Sequence, residues 1–270
     1  MPTDRTLMSI DRRALLAGLG AASLASPALA EPAERWLAYE RRLQDRARDA
    51  AGGRFDAGFE QALMGLTLSF RAEQGGEPLA DDPELARAAR GHAADMAARH
   101  FFGHETPDGF SPIDRAGLMV RRMMGVFGEN LAYQTGPAGF VTPRNCFQGW
   151  ENSPGHRANL LRADYTHVGH GVVRLKDTWY SAAVFGGKSA WLDEPLPLRT
   201  DGPRINAALI NAHPNLPAYF VSEPESQPTG DAYPTPGLGP RLAPGAWRLR
   251  PLKPKGGRAS SVLWGPIVIV

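Results

Sequence analysis

Asp82-Pro83, Ser111-Pro112, Thr142-Pro143 and Ser153-Pro154 each set a capping side chain directly before a proline. The polar side chain can accept a free amide of a first helical turn. Proline fits that turn without losing a needed donor. Each pair therefore predicts a helix start, and the residues that follow carry apolar side chains at helical spacing. The first helix runs to about His100, with Leu85, Ala89, His92 and Met96 on its inward stripe. The second ends near Met124 or Gly125. Cys146, Phe147 and Trp150 face inward on the third. The fourth carries His156, Leu160 and Leu161.

Two helices are expected before these. Glu31 to Ala51 reads as a charged helix with Trp36, Tyr39, Glu40, Leu43 and Ala47 along one side, and its arginines form a solvated face. Arg54 to Arg71 places Phe55, Phe59, Leu63, Leu66 and Phe70 at helical spacing. After Leu161 the period drops to two, which is the mark of strands. Tyr165 to Leu175 and Thr178 to Phe185 flank Lys176-Asp177 and should pair as an antiparallel hairpin. A further strand is expected around Glu129 to Tyr133. Interleaved helices and paired strands predict an α/β fold of the α-β-α sandwich type with a central antiparallel sheet.

Beyond Gly187 the chain becomes dense in proline and glycine, so residues 192–255 read as irregular chain or short strands. Ala246 to Leu252 and Ser260 to Val270 are expected to pair, joined through Pro254 to Arg258. Two strands alone are marginal, so a small β unit with Ala218 to Val221 is expected. The resulting division is an export signal over 1–30, a helix and linker over 31–57, the sandwich over 58–187 and a C-terminal extension over 188–270.

The first 30 residues read as an address. Arg12-Arg13 precedes a short apolar run from Ala14 to Ala25, and Ala28-Leu29-Ala30 offers small residues for signal cleavage, a pattern resembling twin-arginine export. A periplasmic or extracellular location is expected, with no membrane span in the mature chain, because no later segment supplies roughly 20 apolar residues. Cys146 is the single cysteine, which rules out an internal disulfide. Lys and Arg total 30 against 28 Asp and Glu, a balance that argues against a nucleic-acid partner.

The residues that could carry chemistry lie in three blocks, HAADMAARHFFGHETPDGFSPIDR, GENLAY and WENSPGHRANLL. His104 follows a helix end, Glu129 follows a glycine at the start of a strand, and His156 sits in the first turn of a helix. A helix start favours the neutral, ligating form of an imidazole. Two neutral imidazoles and a carboxylate, with solvent completing four-coordination, suit an open zinc site, and the same trio without metal could act as a base and hydrogen-bonding pair on a bound ligand. His92 reads as a hydrogen-bonded core residue and His100 as a surface residue at a helix end. His167 and His170 fall on opposite strand faces. Arg115 and Arg157 could hold anionic ligand groups, but structural ion pairs with Asp114 or Asp164 are the expectation. Asn130 and Asn159 read as turn and cap stabilisers, Trp150 as core, and Cys146 as a small buried hydrophobe.

The ordered pieces LxxDPELxxAARGHAxDMA, FFGH, DGxSPxDR, GEN, WxxSPGHRxNLL, VGHGV and AVFG resemble the CAP superfamily, also called SCP, in its exported bacterial branch. The resemblance covers about Phe59 to Gly186. It implies an α-β-α sandwich and a cleft in which His104 and His156 would be the two histidines and Glu129 the acid. Members often carry a second acid three residues after a tryptophan. Here Ser153 stands at that distance from Trp150, and Glu151 is the neighbouring substitute. The functions expected are binding of a lipid, peptide or cell-envelope ligand, with or without zinc on His104 and His156, or zinc-assisted hydrolysis of peptide or envelope bonds with Glu129 as base.

Overall fold

The computed structural model describes residues 9–11, 33–137, 139–256 and 259–270. The expected export signal and its cleavage point near Ala30 lie outside the described residues, apart from Ser9–Asp11. The chain divides into two compact units, one of Ala38–Val120 with Val126–Gly187, the other of Met1–Leu37, Arg121–Gly125 and Lys188–Val270. Arg121–Gly125 thus falls outside the unit that the sequence assigns to it.

The expected helix starts are present. Strand β1 is Ser9–Asp11, helix α1 is Ala33–Arg48, and β2 is Arg54–Phe55. Helix α2, Ala57–Glu73, begins at Asp56, whose carboxylate accepts the Phe59 amide at 3.1 Å. Strand β3 is Ala80–Asp81. Helix α3, Pro83–Arg99, is capped by Asp82 Oδ1, which accepts the amides of Glu84 and Leu85 at 2.9 Å each, and it ends on His100 with φ of 54°. Helix α4, Pro112–Met119, has a reciprocal box between Ser111 and Asp114. Strand β4 spans Met123–Thr135, longer than expected. Thr142 caps α5, Pro143–Asn152, through the Asn145 amide at 3.1 Å. Helix α6, Pro154–Leu161, follows, and Ser153 makes no side-chain cap bond. Ser153 also closes α5, so its backbone serves two helices.

Strands β5, His167–Leu175, and β6, Thr178–Trp191, form the hairpin across Lys176-Asp177. The sheet order is β2-β5-β6-β4, and β3 adds to β5 as a parallel strand in an otherwise antiparallel set. Alternation along β5 builds three layers. A Cβ placed at Gly169 would lie 2.0 Å from the Ala86 nitrogen, and one at Gly171 would lie 2.2 Å from the Arg90 nitrogen, so α3 rests directly on that face. Only glycine permits this approach. His170 points the opposite way, where its Nε2 lies 3.4 Å from Thr67 Oγ1 of α2. Helices on both faces of an antiparallel sheet make an α-β-α sandwich. Its interior includes Leu63, Leu85, Ala89, Met96, Phe147, Trp150, Val172 and Phe185, all buried.

The second unit is more ordered than its proline content suggests. Asp201 accepts the Arg204 amide at 2.9 Å and starts helix α7, Gly202–Ile210, within the stretch expected to lack helix. This corrects the irregular reading. Asp201-Gly202-Pro203 has the same cap-and-proline grammar as the other starts, hidden by the surrounding glycine and proline. Strands β7, Ala218–Ser222, and β8, Tyr233–Pro234, pair with each other. Strand β9, Ala246–Gly256, pairs with β7, with β10, Ala259–Val262, and with β11, Ile267–Ile269, so the expected last strand is two. Leu192, Ile205, Leu209, Tyr219, Leu249 and Val268 form its core. Arg121 explains why its segment joins this unit, because its guanidinium donates to the carbonyls of Leu196 at 2.8 Å, Pro197 at 3.1 Å and Ile267 at 2.6 Å.

Candidate functional site

Glu129 lies in the body of β4, and its side chain is 1% exposed. A carboxylate in such a place requires a cation. Arg115 of α4, equally buried, supplies it: its Nη2 donates to Glu129 Oε1 at 2.9 Å and Oε2 at 2.8 Å. The same nitrogen donates to the His104 carbonyl at 2.7 Å. Arg115 therefore ties helix, strand and loop together. The ion-pair expectation for Arg115 was right in kind and wrong in partner, since Asp114 is occupied in capping its own helix.

His104 Nδ1 meets Glu129 Oε1 at 2.9 Å, and its side chain is 49% exposed. With its proton on Nδ1 directed at the carboxylate, the ring presents the Nε2 lone pair outward. Burial alone would push the Glu129 carboxyl up, but Arg115, with His92 and His104, holds it down at about 2. Burial opposes the Arg115 charge in turn, and Glu129 and Tyr39 together outweigh it, so the guanidinium stays above its usual range.

His156 is set beside His104 by two asparagines. Asn130 Nδ2 donates to the His156 carbonyl at 3.0 Å, while Asn159 Nδ2 donates to the Glu129 carbonyl at 3.1 Å and to Asn130 Oδ1 at 3.0 Å. These are cross-links between α6 and β4, not the local turn and cap bonds expected of them. Gly128 makes room, because a Cβ there would lie 2.0 Å from the Tyr165 hydroxyl. Arg71 holds the far end of α6 by donating to the carbonyls of Leu160 at 2.8 Å and Arg162 at 3.2 Å. The imidazole rings of His104 and His156 come to rest 6.4 Å apart, centroid to centroid. Burial, then the neighbouring His104, lowers the His156 pKa below that of an ordinary imidazole.

His104, Arg115, Glu129 and His156 all lie within one segment that matches a known family. Residues 65–186 match the profile of CAP, the cysteine-rich secretory protein family. That segment belongs to the CAP family. The uncharacterized protein YkwD of Bacillus subtilis is 34% identical over 125 residues, 45% of each chain. The uncharacterized membrane protein YlbC of the same organism is 37% identical over 117 residues, 43% of this chain and 32% of its own. The chain thus spans less than half the length of these curated relatives. A crystal structure of an extracellular SCP-domain protein from Bacillus anthracis is 32% identical, covering 49% of this chain and 41% of its own at a TM-score of 0.43.

Within the CAP domain the remaining candidates fall apart from the histidine pair. Glu151 sits 3.4 Å from Arg144 of its own helix, and no described contact joins it to His104, Glu129 or His156. His170 is buried beside Trp150, with ring centroids 6.4 Å apart, and His167 Nδ1 meets Thr166 Oγ1 at 2.8 Å. Arg157 donates to Gln74 at 2.9 Å instead of to an aspartate. His92 is buried as expected, and its Nε2 donates to the Gly103 carbonyl at 3.0 Å, pinning the loop before His104. Its Nε2 is also 4.0 Å from Glu129 Oε1, a proximity the sequence did not suggest. Burial, followed by Arg115, brings the His92 pKa down to about 3. The buried Cys146 thiol is pushed up to about 12 by burial.

The residues suit a metal only in part. His104 Nε2 and the His156 ring make a two-imidazole donor set of the kind zinc accepts, while Glu129 is consumed by Arg115 and His104. Among the described residues no group of three or more His, Cys, Asp or Glu could hold a metal ion. A divalent cation here would rest on two protein ligands and complete its shell with solvent or a bound molecule. No helix among the described residues is long and apolar enough to cross a membrane.

Proposed function

We propose that the CAP domain is an extracytoplasmic binding module whose ligand is taken by the outward atoms of His104 and His156, directly or through a zinc ion held between the two rings. The observation that carries this reading is the state of Glu129. Its carboxylate is buried, bonded on both oxygens and held near a pKa of about 2. A general base needs contact with the water it activates and a pKa near the working pH, and the Glu129 side chain is 1% exposed. Glu129 offers neither, so its work is to aim His104 and not to take a proton from water. Hydrolysis with Glu129 as base therefore loses its main participant, and ligand binding at the paired imidazoles remains. A lipid, peptide or envelope component with a coordinating or hydrogen-bonding group fits that chemistry.

Calorimetric zinc titration of the protein beside its His104→Ala/His156→Ala variant tests the site, with circular dichroism to check folding. One zinc taken up by the parent and lost in the folded double variant is the expected result. Equal metal uptake by both would overturn the site as drawn.

A further inference from the structure

A cluster of basic side chains in the CAP unit shares no residue with the histidine pair. Antiparallel register between β2 and β5 sets Arg54 directly opposite Arg174. Like charges facing each other across strands weaken a sheet. These two arginines, with Lys176, Gly52 and Gly53, line a shallow depression of about 380 Å³ that is open to solvent. No acidic residue is among its lining. The nearest acids in sequence are engaged: Asp49 Oδ1 accepts the Ala51 amide at 3.0 Å, and Asp56 takes the Phe59 amide at 3.1 Å and the Trp179 indole at 3.3 Å. Asp177 Oδ1 forms an ion pair with Arg174 Nη2 at 3.8 Å, too long for a hydrogen bond and exposed to solvent on the Asp177 side, so it offsets the Arg174 charge only weakly.

The walls are held in place. Arg174 Nε donates to the Lys176 carbonyl at 2.9 Å, and its guanidinium lies over the Trp179 ring, 4.4 Å from the centroid. Lys176 occupies a left-handed position, φ 54°, in the turn between β5 and β6. Gly52 has φ of 87°, and a Cβ at Gly53 would lie 2.8 Å from Val173 Cγ1 and 3.0 Å from the Arg174 carbonyl, so glycine keeps the floor close to the strand. Planar guanidiniums match the oxygen spacing of an oxyanion, and an ammonium adds charge without fixed direction.

We propose that this depression is a binding site for a phosphate group, free or carried on an anionic lipid headgroup, held by Arg54 and Arg174 with Lys176 at the rim. The bound oxyanion would offset the repulsion between the opposed arginines. Calorimetry of the full chain with inorganic phosphate at low ionic strength tests it. Saturable binding is expected, weakened at least tenfold in Arg54→Gln/Lys176→Gln and unchanged in His104→Ala/His156→Ala. The substituted residues of the first variant are exposed, so its fold should survive, and circular dichroism checks this. No saturable binding, equal binding by the first variant, or loss in the histidine variant instead would each overturn the proposal. Co-sedimentation with phosphatidylglycerol vesicles separates the sources. Vesicle binding that free phosphate displaces and the first variant loses supports a headgroup, and free phosphate binding without vesicle binding supports a small anion. Vesicle binding indifferent to both tests counts against the site.

Discussion

The two units bury arginine in different ways. In the CAP unit Arg115 faces a carboxylate, and the pair joins α4, β4 and the loop of His104. In the C-terminal unit Arg250 donates to the Ser226 carbonyl at 3.1 Å and lies 3.6 Å from the centroid of the Trp264 ring. Burial, then the neighbouring Arg248, lowers the Arg250 pKa to about 9. The first arrangement makes charge a connector between segments that carry the candidate site. The second uses a guanidinium to hold a loop against a strand. Removing each should therefore have unequal consequences.

Arg115→Met tests the larger side of that contrast. It strands the Glu129 carboxylate, so a loss of about 3–5 kcal/mol is expected in urea denaturation, with much of it recovered in Arg115→Met/Glu129→Gln. A loss below about 1 kcal/mol would show that the carboxylate finds another partner.

Acid should separate the units next. His92 and His170 are buried in the CAP unit, with pKa values lowered to about 3 and about 4, chiefly by burial, whereas His213 of the C-terminal unit is exposed. The unfolded chain takes protons near 6.5 that the folded unit refuses. Stability is thus full above that pH and falls as pH drops from 6.5 toward 4, by about 1.4 kcal/mol per pH unit for each histidine. Glu129 adds to the loss as pH falls from 4.5, its unfolded value, to about 2. His170→Phe should roughly halve the slope between pH 6 and 4, on the order of 3 kcal/mol in total. Limited proteolysis across that range should cut the CAP unit before the C-terminal one.

Gly171→Ala probes packing alone. The added Cβ meets the α3 backbone, and a loss of about 1–3 kcal/mol is expected in thermal denaturation. The smallest effect should come from Arg250→Met, within about 1 kcal/mol of the parent, because no buried carboxylate of an ion pair with it is left behind. A loss as large as that of Arg115→Met would erase the distinction between the units.

Much of the CAP fold was legible because its signals are local. Asp82, Ser111 and Thr142 bond to amides two or three residues away, and Lys176-Asp177 turns between strands that are neighbours in sequence. The same grammar at Asp201 went unread under a dense background of glycine and proline. The site was legible only as a set of residues. His104, Glu129 and His156 could be named, but the partner of Glu129 lies 14 positions away on another element, and nothing local distinguishes Arg115 from a surface arginine. The Arg of the DGxSPxDR block was a signal that could have been pursued.

By itself the sequence determined where most helices begin, where the period changes, and which two histidines and one glutamate stand out as candidates, because short-range hydrogen bonds and side-chain periodicity are written in adjacent residues. Only the tertiary structure decided that Glu129 is bonded to Arg115 and His104, that the asparagines bridge α6 to β4, and that Arg54 confronts Arg174. Burial and charge pairing arise between segments far apart in the chain, and they exist only once those segments have packed.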